Sequence, residues 1–272
     1  MMRRTLIAVF LLLASLVALG GSTPEVPPTP AVLQASDAEV KKLTEDLQKA
    51  VGDKNDELLA KAIEEMETLR HDSFVPFIRG GLKSADSRVL AASIRAAATH
   101  ELKDIQKDVV KLLHAKPGKP KDKDAKDNAG LAGEVGSAAI DYLRRLDVAG
   151  EEATVLDDYL DPLVTPTVGD DRRVKTSWAR DLMRACIHYL GKYKYKRAVP
   201  LLIELVGEPR PKPFNPAKGD PNPPESYFKG RSDLWHAGEG WVRWALKETT
   251  AQEFRSAREW EAWLKLNKKD FK

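Results

Sequence analysis

The sequence has one cysteine, Cys186, in 272 residues. An internal disulfide is therefore excluded, and stability must come from packing. No Asn-Gly or Asp-Gly hairpin signal appears, nor an alternating apolar–polar run long enough for a strand, so the fold is not β-rich. After residue 20 no apolar run approaches the roughly 20 residues needed to span a bilayer. No excess of one charge is present either. Setting aside Arg3 and Arg4 leaves 42 Lys and Arg against 41 Asp and Glu, too even a balance for general attraction to nucleic acid or anionic lipid. Missing as well are a Gly-rich phosphate loop, a Ser/His/Asp order, paired catalytic carboxylates and a Cys–His set. We expect no enzymatic activity, no cofactor and no metal.

The first twenty residues carry an address. Met1-Met2-Arg3-Arg4 is a short basic start, Leu6 to Leu19 is apolar apart from Ser15, and Ala18, Gly20 and Gly21 suit cleavage. This layout predicts a signal peptide over 1–20 and an exported, periplasmic or secreted protein, a retained anchor being the alternative. Pro24, Pro27, Pro28 and Pro30 make 21–35 an extended tether.

From Ser36 onward the apolar period is helical, so the fold class is all-α. Ser36-Asp37-Ala38-Glu39 and Ser256-Ala257-Arg258-Glu259 are capping boxes that open helices. Prolines punctuate the rest. Pro76 and Pro200 sit in matching phrases, Val75-Pro76-Phe77-Ile78 and Val199-Pro200-Leu201-Leu202, each opening an apolar run where a missing N–H costs nothing. The helices pair: first helices are predicted near 36, 73, 104, 151 and 197, second helices near 54, 86, 130, 173 and 233. The clearest unit is Phe74-Val75-Pro76-Phe77-Ile78, an Asp86 turn, then Val89-Leu90-Ala91-Ala92-Ser93-Ile94-Arg95-Ala96-Ala97-Ala98. Small residues on the second helix let neighbouring pairs approach closely.

That unit resembles a HEAT repeat, and the resemblance runs through most of 36–249. Pro76 and Pro200 lie 124 residues apart, which three repeats of about 41 residues fill, at the HEAT period of about 40–47. The resemblance implies a right-handed α-α superhelix of the armadillo-like kind, with about five helix pairs. The closing stretch, Phe254 followed by Trp260-Glu261-Ala262-Trp263, is similar to the end of bacterial exported HEAT-type proteins and predicts a capping helix over 250–272. Ala251 stands where that pattern has Gly. Inserts are expected at 116–129 and 207–231.

Function then belongs to surfaces. Arg88, Arg95, Arg145, Arg184 and Arg243 fall largely off the apolar stripes of the second helices, which the resemblance places on the concave side. They are candidates for holding an acidic partner, or ordinary solvated arginines. All six Trp lie at 178 or later. Trp235 and Trp244 are candidate contact residues, whereas Trp241, Trp260 and Trp263 read as core. His236 and Glu239 could make half a metal site but have no third ligand in sequence, and the Lys/Asp run 121–127 is too neutral for a calcium loop. Pro209 to Pro224 could be a docking segment or a plain surface insert. Cys186 reads as a buried small hydrophobe. The sequence therefore points to a monomeric, non-catalytic protein-binding scaffold. A nucleic-acid binder or DNA-glycosylase-like HEAT enzyme, and a carbohydrate or small-ligand binder built on Trp235 and Trp244, are the alternatives.

Overall fold

The computed structural model describes residues 33–115, 125–164, 177–207 and 225–271. The segments read as signal peptide and proline tether lie outside them up to residue 32, as do most of both inserts.

The described chain is all-α, with eleven helices packed in sequence. The first helices are α1 (Asp37–Gly52), α3 (Val75–Gly81), α5 (Gln106–His114), α7 (152–164) and α9 (Val199–Glu204). Interleaved with them are the second helices α2 (Asp56–Glu65), α4 (Ser87–Thr99), α6 (Ala125–Arg145), α8 (Ser177–Lys192) and α10 (Glu225–Thr250). α11 (Ala257–Asn267) closes the chain. The expected pairing is observed. Helices α6 and α10 begin earlier than their apolar stripes suggest, because each extends back into a predicted insert. One departure is a parallel pair of two-residue strands: β1 (Leu33–Gln34), inside the predicted tether, runs beside β2 (Leu69–Arg70).

Each first helix packs on its own second helix, and the second helices pack one against the next from α2 to α10. The result is two layers with one continuous core. The second layer is close-packed because its contact residues are small. On α4, Ala91, Ala92, Ala96 and Ala97 are all buried. Where α8 meets α10, a Cβ on Gly191 would lie 2.6 Å from Trp244 Cζ3 and 3.0 Å from the Ala245 Cα, so only glycine fits.

Local chemistry sets the ends of the helices. Ser36 and Ser256 form the two capping boxes as the sequence predicts. The Asp86 carboxylate accepts from the Arg88 and Val89 N–H groups and starts α4. Three of the turns that follow second helices share one design. Glu101, Asp147 and Lys194 each take a left-handed conformation, with φ of 54°, 60° and 51°. The next residue's N–H then reaches back to close the helix: Leu102 to the Ala97 carbonyl, Val148 to Leu143 and Tyr195 to Leu190, at 3.0, 2.9 and 3.0 Å. No glycine marks these turns, so sequence punctuation could not find them.

Two tyrosines repeat with the turns. Tyr142 and Tyr189, both buried, donate their hydroxyls to the carbonyls of Leu102 and Val148 at 2.5 and 2.9 Å. Each ties a second helix to the turn of the preceding pair.

Pro162 does not end its helix. It lies inside α7, directly after a π-helical run, Val155–Leu160, where the Asp161 N–H bonds to the Leu156 carbonyl. The widened turn accommodates a ring that lacks an N–H.

The C-terminal end is closed by aromatic rings. Trp260 is buried, with Phe254 at 4.8 Å and Trp263 at 5.8 Å, both edge-on, and Trp263 reaches Phe271 at 5.2 Å. Bulky rings here cover the last pair, the role the sequence suggests for a capping helix.

Candidate functional site

The five candidate arginines lie on four of the second helices, α4, α6, α8 and α10. They do not form a free ladder. Arg88 is exposed and folds onto its own cap, Asp86, at 3.1 Å. Arg95 crosses to α2 and the residues after it, with Nε 2.6 Å from Glu67 and Nη2 3.5 Å from Glu64. Arg184, exposed, pairs with Asp181 at 3.5 Å. Arg243 pairs with Glu239 at 2.8 Å and donates to the Phe254 carbonyl at 3.1 Å, so it secures the cap. Arg145 differs from the rest. Its one direct bond among the described residues is to Thr99 Oγ1, at 3.4 Å.

Thr99 links two pairs. Its hydroxyl donates to the Glu67 carbonyl at 2.9 Å while receiving Arg145. Burial raises the Glu67 carboxyl above its ordinary range, and Arg95 partly offsets this. Arg95, Thr99 and Arg145 thus stitch α4 to its neighbours as much as they offer a surface.

The two candidate tryptophans part company. Trp235 is half-buried on α10, its ring 4.5 Å from His236. Its indole N–H is buried without a partner among the described residues. Trp244 is half-buried and packs against α8, tilted over His188 at 5.2 Å, with Trp241 on the same imidazole at 6.1 Å.

His188 is the residue sequence reasoning missed. It lies on the other side of α8 from Leu182, Cys186 and Leu190, yet it is only 5% exposed because α10 lays its tryptophans over it. Burial, together with the cations Arg144 and Arg184, pulls its pKa down to about 4, so the ring is neutral at neutral pH. No hydrogen bond to it is made among the described residues. On the facing helix, Arg144 holds Asp141 at 2.7 Å. The neighbouring Cys186 is fully buried and its thiol is pushed upward by that burial, which makes it a small hydrophobe.

The possible half metal site does not assemble, because Glu239 serves Arg243. Among the described residues no group of three or more His, Cys, Asp or Glu is placed to hold a metal, and no helix is long and apolar enough to cross a membrane. The Lys/Asp run and the Pro209–Pro224 segment fall largely or wholly outside the described residues. Comparison of the chain with protein-family models, curated proteins and solved structures returned no match.

Proposed function

We propose that this chain is an exported, non-catalytic interaction scaffold, a right-handed HEAT-like superhelix that acts as a monomer and holds a protein partner on its concave, second-helix side. The observation that supports this reading is the side-by-side packing of five second helices, one against the next. Interleaved charge on them favours a protein over a nucleic acid. Arg88, Arg95, Arg184 and Arg243 each already face a carboxylate, so few cations are left to displace counterions from a phosphate backbone. Export rests on the basic-then-apolar start of the chain.

The test is affinity capture from a bacterial envelope extract, using the chain without its first 20 residues. A partner protein that is retained by the native chain, lost on charge reversal at Arg88 or Glu134, and kept on reversal at Lys107 of α5 supports the reading. Retention of duplex DNA that weakens steeply across a salt series, with no protein captured, would replace it with the nucleic-acid alternative.

A further inference from the structure

We propose that the C-terminal end of the array docks on an anionic lipid surface. Lys194, Lys196, Lys268 and Lys269 meet the headgroups, and Leu266 enters the interface beside them. This goes beyond the partner-holding reading and does not depend on it.

The even charge of the whole chain conceals an uneven placement. Residues 192–272 carry 17 Lys and Arg against 11 Asp and Glu, whereas 21–191 carry 25 against 30. The densest stretch is Gly191-Lys192-Tyr193-Lys194-Tyr195-Lys196-Arg197-Ala198, four cations with no acid among them. The fold brings a second basic stretch to it. The end of α9 lies by the start of α11, where a Cβ on Gly207 would meet the Ala257 Cβ at 3.5 Å. The end of α11 returns to the start of α9, so the closing turn Lys268–Phe271 packs against the turn Lys196–Ala198.

Lys194, Lys196, Lys268 and Lys269 are exposed, and none pairs with a carboxylate among the described residues. On the two packed turns the one acid is Asp270, also unpaired. Acids of the preceding pair are engaged: Asp147 with Lys192 at 2.9 Å, Asp157 with Arg197 at 3.4 Å, and Glu152 with the Gly150 N–H at 3.0 Å. Asp158, exposed beside Asp157, pairs with none of the four lysines. At the end of α10, Glu253 holds Lys247 at 2.9 Å, and the free Glu248 and Arg255 offset each other. On α11, Glu261 stands one turn from Lys265 and about 10 Å before Lys268, and Glu204 ends α9 away from Lys196. Four free lysines thus stand against Asp270 and, one pair earlier, Asp158.

Leu266 decides the kind of surface. At 87% it is the most exposed large apolar side chain among the described residues, and it sits at the end of α11 directly before Lys268 and Lys269. The half-buried Tyr193 and Tyr195 alternate with the lysines, and such rings favour a membrane–water interface. Lysine is a flexible point charge that suits scattered headgroups, where each adds about fivefold in affinity. Cations around a protruding leucine match lipid, which offers charge and apolar depth together.

The chain lacking residues 1–20 can be co-sedimented with vesicles of phosphatidylcholine, alone or with about 30% phosphatidylglycerol. It is expected to bind the anionic vesicles at least about tenfold more tightly, and less so as salt is raised. Lys196→Glu, Lys268→Glu and Lys269→Glu combined should weaken that binding about tenfold or more. The same charge change on α1 and α2, Lys41→Glu with Lys42→Glu and Lys61→Glu, should leave it within about threefold. Leu266→Ser should weaken it about fivefold. All seven side chains are exposed, so each variant should melt like the native protein, which separates lost binding from lost folding. Equal binding to neutral and anionic vesicles, equal loss from both triple changes, indifference to Leu266→Ser, or tighter binding of a duplex DNA oligonucleotide than of anionic vesicles would overturn the proposal.

Discussion

The two layers of the molecule are held by different forces. Second helices touch mainly through buried small residues, tyrosine hydroxyls and tryptophan rings, with the Arg95–Glu67 and Arg145–Thr99 contacts added at their edge. First helices reach one another through polar side chains near the surface. Arg79 of α3 meets Asp104 at 2.7 Å, His114 at the end of α5 meets Glu151 at 2.8 Å, Arg197 before α9 meets Asp157 at 3.4 Å, and Tyr159 donates to the Leu113 carbonyl at 2.7 Å. The layer that packs closely fixes the spacing of the pairs, and the layer tied by polar groups can adjust. Screened surface pairs contribute little, whereas a filled core has no room to yield.

The largest effect should follow from filling the second layer where it is tightest. Gly191→Val places atoms against Trp244 and the Ala245 backbone, and should cost about 3 kcal/mol by denaturant titration, near the upper end for overpacking. A cost under about 0.5 kcal/mol would mean that this layer gives way as readily as the other.

Next comes pH. His188 has a folded pKa of about 4 against an ordinary 6.5, so the unfolded chain takes up its proton first. Stability from this group is complete above about pH 6.5 and drains away as pH falls toward 4, by about 2–3 kcal/mol at most. The difference in unfolding free energy between the native chain and His188→Gln, measured from pH 7 to pH 4, should narrow by that order. A constant difference would show that the imidazole is as solvated in the folded state as in the unfolded one.

Removing one hydroxyl is a smaller step. Tyr189→Phe strips the Val148 carbonyl of its 2.9 Å donor and the Glu151 N–H of its 3.3 Å acceptor, for about 1–2 kcal/mol. The smallest change belongs to the first layer. Arg79→Ala breaks a pair that is about half exposed on both sides, and should move stability by no more than about 0.5 kcal/mol, less still in high salt. If Arg79→Ala cost more than Tyr189→Phe, the contrast between the layers would be reversed.

Much of this organisation was readable beforehand. Helical periodicity with the paired Val-Pro phrases located all five pairs, because apolar spacing and a first-turn proline report local geometry. The capping boxes at Ser36 and Ser256 are short-range chemistry and formed as expected. What stayed hidden depends on contacts distant in the chain. The Glu101, Asp147 and Lys194 turns carry no glycine, and their left-handed backbone is held by the packing that follows. The burial of His188 depends on tryptophans more than fifty residues further along. The arginines were found, but their carboxylate partners were not, since Arg95 and Glu67 lie 28 residues apart on separate elements. The place of Pro162 inside α7 was hidden too, because the π-helical run before it has no sequence signature.

The tyrosine ties join α4 to α6 and α6 to α8, and the corresponding places on α4 and α10 hold Ala96 and Leu246, which have no hydroxyl to give. At the first junction Thr99 and His100 take that part, on the Glu67 and Leu69 carbonyls at 2.9 and 3.1 Å, and among the described residues only the last pair has no such tie to the turn before it. A chain drawn out by its two ends should surrender the last pair first, and amide hydrogens of α6 should be the last to exchange with solvent.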